Sequence, residues 1–147
     1  KQIINQSLDE MQLHLTPAIR AAFNRRGLTV HQSVTLASII EKEVDNNADK
    51  PVVAQVFLKR LKEGILLQSN ATDAYAHMNS AYDSYEHKGL PPGPISNVTD
   101  SSLRAVAYPA DTDWLYFVTG DDGKTYFSKT LADHEYQVKK HCKRLCK

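Results

Sequence analysis

Leu36-Ala-Ser-Ile-Ile-Glu-Lys-Glu43 places Leu36, Ile39, Ile40 and Glu43 at i, i+3, i+4 and i+7, the spacing that shares one face of an α-helix. Seven residues turn a helix by about 700°, so Glu43 projects within roughly 20° of Leu36. Glu43 therefore continues the apolar stripe, while Glu41 points nearly opposite. A carboxylate at the end of such a stripe is disfavoured unless something compensates it. Burial raises its pKa, because desolvation penalises the charged form. A carboxyl that keeps its proton is what general-acid chemistry at a glycosidic oxygen requires. The same pattern also fits a glutamate at a helix end that bends out to solvent, and the stripe alone does not choose.

Outward from this segment the pattern is mostly helical. Thr29 with Gln32 three residues later is a capping box that starts the helix. Before it, Ile4, Leu8, Met11, Leu15 and Ile19 stand at helical spacing over Ile3–Phe23. Pro17 there predicts a kink or a new start, and Gly27 a stop. After it, Asp45–Lys50 is a polar loop. Pro51 opens a third helix with Val53, Val56, Phe57 and Leu61 as its stripe and Gly64 as its stop. Ile65–Gln68 reads as a short strand. Ser69–Asn97, rich in Tyr, Asn, Ser, Gly and Pro, reads as an ordered loop. Thr99 caps a short helix, Asp100–Ala107. Asp121-Asp122-Gly123 turns a hairpin between Trp114–Thr119 and Tyr126-Phe127. Thr130 caps a last helix through about Lys143. The expected class is α+β, with helices packed around a small antiparallel sheet.

The chain has 147 residues, 41% hydrophobic and 24% charged, with a formal net charge of +1. That suits one domain, 1–147, with an N-terminal helical segment at 1–27 and a core at 28–147. The near-neutral balance gives no field for nucleic acid. The basic run Lys139, Lys140, Lys143, Arg144, Lys147 is a solvated helix end. No apolar run approaches the roughly 18 residues of a membrane span. The chain opens on Lys1-Gln2-Ile3 and reads as an excised domain. Cys142 and Cys146, i and i+4, fit either a disulfide or two free thiols. The six histidines show no metal-ligand spacing, and there is no glycine-rich phosphate loop. No metal and no cofactor is expected.

Several stretches, in order, carry a family likeness. They are Leu36–Glu43; Val53-Ala-Gln-Val-Phe-Leu-Lys-Arg-Leu61; Leu67-Gln68-Ser69 with Ala71-Thr72 and Tyr75; Tyr82-Asp-Ser-Tyr85; and Gly89-Leu-Pro-Pro-Gly-Pro-Ile95 with Asn97. Ser102-Leu103, Pro109-Ala110, Leu115–Val118, Phe127 and His134 follow. Together these resemble the endolytic murein transglycosylases, the YceG-like family, over about Leu28–Val138. Asn70 stands where that family usually has Asp, Asp73 where a small apolar residue is common, and Ala76–Ala81 is a shorter stretch than usual.

The resemblance implies a YceG-like catalytic domain with a lysozyme-like cleft that cuts peptidoglycan glycan strands. Glu43 would be the acid/base of a non-hydrolytic cleavage between N-acetylmuramic acid and N-acetylglucosamine, leaving 1,6-anhydro ends. Gln68, Ser69, Thr72 and Asn97 would donate to and accept from sugar hydroxyl and acetamido groups. Tyr82 and Tyr85 would offer ring faces to sugars and hydroxyls to Glu43. Gln68 and Asn97 fit equally well as partners for loop backbone, and Tyr75 and Tyr85 as packing residues. The family further implies a membrane anchor outside this chain, a place on the extracytoplasmic face of the bacterial membrane, and cell-wall synthases as partners. Two other functions fit the same residues. One is a lysozyme-type hydrolase with Asp73 or Asp83 as a second carboxylate. The other is a non-catalytic glycan-binding module.

Overall fold

The structure is a computed structural model, and it describes residues 9–144 and 146. Ile4 and Leu8 of the first stripe lie outside the described residues. Residues 9–14 are helical. Pro17 then starts a separate helix, α1 (Pro17–Arg25), whose N-cap Thr16 accepts from the Ile19 amide. Proline at the first turn costs no hydrogen bond there, so a new start is favoured over a kink.

Helix α2 (Val30–Glu43) begins with the expected capping box: Thr29 Oγ1 accepts from the Gln32 amide at 3.1 Å, and Gln32 Oε1 accepts from the Thr29 amide at 2.9 Å. Its burial is wider than a stripe. Every residue from Ser33 to Ile40 is buried, because α2 lies between other helices rather than on a surface. Helix α3 (Lys50–Glu63) ends at Gly64, which takes a left-handed φ of 65° that favours glycine. A short turn (α4, Asp73–Ala76) interrupts the loop region, and α5 (Asp100–Ala107) packs against α1, α2 and α3. Strands β1 (Tyr116–Thr119) and β2 (Thr125–Ser128) pair antiparallel with Phe117 opposite Phe127. Helix α6 (Leu131–His141) lies across both strands. The class is α+β, as expected.

Phe23, Leu36, Ile39, Ile40, Val53, Phe57, Leu67 and Val106 form the fully covered core. Phe57 and Phe117 meet edge to face, centroids 5.5 Å apart, and join the helical layer to the hairpin.

Two expectations change. Ile65–Gln68 is not a strand. Leu67 is apolar because it is fully buried, and Gln68 turns the chain with a φ of 52°, the one positive value outside glycine among the described residues. The two cysteines, left open above, form a disulfide with Cα atoms 5.5 Å apart. Helix α6 stops at His141, so the pair spans a turn after the helix rather than one helical face.

Candidate active site

Glu43 is the last residue of α2. The residue is half-buried. The Ser69 hydroxyl donates to Glu43 Oε1, and the Ala71 amide approaches the same oxygen at 3.4 Å. The loop that supplies both donors is itself braced. The Ser69 amide donates to Ser84 Oγ at 2.8 Å, the Thr72 hydroxyl to the Ser69 carbonyl at 2.8 Å, and the Gln68 amide to the Ser84 carbonyl at 3.1 Å. Burial pushes the Glu43 pKa above the usual carboxylate value, and the nearby Asp73 charge adds to that. The bonds from Ser69 and Ala71 and the Arg60 cation pull the other way without reversing the direction.

The carboxyl opens on a cleft of about 520 Å³. Gln68, Asn70 and Tyr85 form its border on the loop side. Arg60, Tyr116 and His134 form the side built by α3, β1 and α6. Arg60 is 6% exposed. Its Nε donates to the Leu115 carbonyl and its Nη1 to the Leu67 carbonyl, both at 2.8 Å, and the guanidinium sits 5.2 Å from the Tyr116 ring centre.

The expected ligand-binding residues divide into two groups. Ser69, Gln68 and Tyr85 gather around Glu43. Tyr85 is 43% exposed, and its hydroxyl donates to Asn70 Oδ1. Thr72, Tyr82 and Asn97 do not line this cleft. Thr72 is fully buried and its hydroxyl is occupied by Ser69 and Ser84. Tyr82 packs on Tyr75, centroids 5.8 Å apart, and its hydroxyl abuts Gly93, where an added Cβ would lie 3.3 Å away. Asn97 lines a separate depression with His14, Val34 and Asp100. The cause is a pin on α2: the Ile95 amide donates to Ser38 Oγ and the Ser96 hydroxyl to the Ser38 carbonyl, both at 3.0 Å. Ser38 is about 140° around the helix from Glu43, so whatever follows Ile95 is held on another face.

A sequence model of the YceG-like family matches residues 1–140. The chain belongs to that family. It is 35% identical over 135 residues to a Bacillus subtilis protein named endolytic murein transglycosylase, covering 83% of this chain and 38% of that protein. A Streptococcus pneumoniae protein of the same name is 29% identical over 96% of this chain and 29% of its own length. The crystal structure of a YceG-like protein from Listeria monocytogenes superposes with a TM-score of 0.84 at 38% identity, covering 92% of this chain and 48% of that one. The YceG-like chain thus spans well under half the length of the curated relatives it matches.

In this YceG-like fold the first glutamate of Glu-Lys-Glu has a different task from the second. Glu41 Oε2 accepts from Lys50 Nζ at 3.1 Å, from the Thr99 hydroxyl at 2.8 Å and from the Ser102 hydroxyl. Lys50 is only 3% exposed. Thr99 was expected to cap α5 with its side chain, but that side chain is on Glu41 instead. Partial burial raises the Glu41 pKa, yet the bonds from Ser102, Thr99 and Lys50 outweigh it and hold the group at about 2. Glu41→Gln should therefore leave Lys50 with a weaker partner and cost about 2 kcal/mol, less than for a fully buried pair because Glu41 is 22% exposed. A depressed carboxyl pKa stabilises the fold above its ordinary value of 4.5 and loses that contribution as pH falls toward about 2. Thermal melts of the two proteins should accordingly converge across that range. Activity per folded molecule should stay within about twofold, since Glu41 lies on the side of α2 away from the cleft.

Arg60 escaped the sequence reading, although its signal was present. It stands three residues after Phe57 and four after Val56, on the buried face of α3. A charged residue on an apolar stripe was the same signal that singled out Glu43.

Proposed function

We propose that this domain is the catalytic core of an endolytic murein transglycosylase, a lyase that cleaves glycan strands of peptidoglycan between N-acetylmuramic acid and N-acetylglucosamine. One observation carries the proposal: a single carboxyl with a raised pKa, held by a hydrogen-bonded loop, opens on a cleft with no second acid along its walls among the described residues. Two relatives bear the corresponding name.

Protonated Glu43 donates its proton to the glycosidic oxygen, and the C1–O bond breaks. The carboxylate left behind takes the proton from the C6 hydroxyl of the muramoyl sugar. That oxygen bonds to C1 and closes a 1,6-anhydro ring. One carboxyl acts as acid and then as base, so the cycle ends with Glu43 protonated again and no water consumed. The Ser69 hydroxyl and Ala71 amide hold Oε1 in both protonation states, since each is a donor. Gln68 and Tyr85 contribute amide and ring surfaces to the sugar. Residues 28–147 act as the core and 1–27 as its N-terminal support. The action is placed at the extracytoplasmic wall, with wall synthases as neighbours.

A lysozyme-type hydrolase is the second reading. It is favoured only by Asp73, whose charge reaches Glu43. Asp83 is engaged elsewhere, accepting from the Tyr85 amide at 2.9 Å. Mass spectrometry of sacculi digested with the protein separates the two. The expected products carry anhydro-muramoyl ends, lighter by one water than reducing ends. Reducing ends alone would assign the hydrolase, and binding without cleavage would leave a glycan-binding module.

A further inference from the structure

His134 has an unpartnered nitrogen and lines the Glu43 cleft. It projects from α6, and its ring stacks on Tyr116 of β1, centroids 5.3 Å apart and planes 23° from parallel. The stack fixes the plane of the imidazole. Its Nδ1 is buried, and no described residue bonds to it. A neutral imidazole carries one proton on one of its two nitrogens. A buried N–H without an acceptor is a rarer and costlier arrangement than a bare lone pair. The proton therefore belongs on Nε2. Because the residue lines the cleft while Nδ1 is closed off, Nε2 is the nitrogen left for a ligand. Burial, together with the nearby Arg60 cation, lowers the ring's affinity for a second proton, so the ring stays neutral at neutral pH.

The neighbouring Arg60 is also a donor, with Nε and Nη1 committed to the carbonyls of Leu115, Leu66 and Leu67. A neutral donor beside a cation suits an oxygen that has lone pairs and no proton of its own. In an N-acetylated glycan strand the acetamido carbonyl is such an oxygen on every sugar; ring and glycosidic oxygens also lack a proton but accept more weakly, and the lactyl carboxyl is carried by alternate sugars only. We propose that His134 Nε2–H is a binding group for the acetamido carbonyl of the sugar seated beside Glu43. This rests on the glycan-binding part of the function proposed above and adds the group that recognises the N-acetyl substituent. Held there, the acetamido oxygen fixes the rotation of the sugar ring against the acid.

The test is equilibrium binding of purified, peptide-free glycan fragments to protein carrying Glu43→Gln, in which nothing is turned over. His134→Phe keeps a ring to stack on Tyr116 but has no donor. His134→Gln places an amide N–H near the position of Nε2. The phenylalanine variant should bind about fivefold to tenfold more weakly, the net effect of one hydrogen bond, and the glutamine variant should stay within about twofold of the parent. On N-deacetylated fragments the parent and His134→Phe should bind alike. Equal affinity of parent and His134→Phe for acetylated glycan overturns the inference. So does the same loss with and without the acetyl group, and so does a parent that binds no glycan. If His134→Phe does not fold, as judged by its melting curve, His134→Leu, which also lacks a donor, is compared with the parent on the two glycans by the same criteria. Wild-type protein that binds glycan without cutting it removes the lyase reading and leaves this one standing.

Discussion

Glu43→Gln should slow glycan cleavage by about a thousandfold or more, the range for removing a group that transfers protons in both halves of a reaction, while the protein stays folded. The amide keeps the size of the side chain and an oxygen that can still accept from Ser69 and Ala71, but it has no proton to give. Stability should move in the opposite direction to activity. Folding raises the Glu43 pKa, so the folded chain holds that proton more tightly than the unfolded chain does. The protonated group's contribution to stability is complete below the ordinary value of 4.5 and is lost as pH rises through the raised value. At neutral pH the variant therefore melts at the same temperature as the wild type or higher, and the two curves meet in acid. A variant that loses activity together with several degrees of melting temperature would point to a structural glutamate and remove it as the acid.

Arg60→Ala carries the largest expected loss of stability, about 4 kcal/mol. Its guanidinium satisfies the carbonyl of Leu115 at the entry to β1 and those of Leu66 and Leu67 just before Gln68. Arg60 is 6% exposed, and among the described residues it is the donor these carbonyls share. Truncation strands these carbonyls and empties the space under Tyr116. For a chain of this length the melting temperature should drop on the order of 10 °C. The cation also lowers the Glu43 pKa. Whatever folded Arg60→Ala remains should show its acid-dependent activity limb displaced toward higher pH. A drop of less than about 3 °C would mean that the three carbonyls find other partners.

The course of α2 was legible because its signals are local: a capping box, an apolar repeat and a misfit acid all lie within Thr29–Glu43. The hairpin was legible for the same reason, with Asp121-Asp122-Gly123 turning between two β-rich stretches. What the residues could not display was which distant segment lies on which helical face. Asn97 follows Gly89–Ile95 by two residues, yet Ser38 anchors the end of that stretch away from the acid. Tyr82 and Tyr85 are three residues apart, and only Tyr85 faces the cleft. Ile65–Gln68 resembled a strand because a short apolar run looks alike whether it pairs or merely fills the core. The places of Arg60 and His134 in the cleft emerge only when α3, β1 and α6 are assembled, since their partners are backbone and ring groups more than six residues away in sequence or on another element.

Glu43 closes a helix of fourteen residues, so its carboxyl hangs at the negative pole of a row of aligned peptide dipoles. The field at that pole opposes a second negative charge and acts in the same sense as burial. It comes from backbone alone, so no side-chain replacement along α2 removes it while the helix stands. Moved to the opening turn of the same helix, an identical glutamate would meet the positive pole and surrender its proton sooner. The proton-holding capacity of this residue is thus partly a matter of its address on the rod.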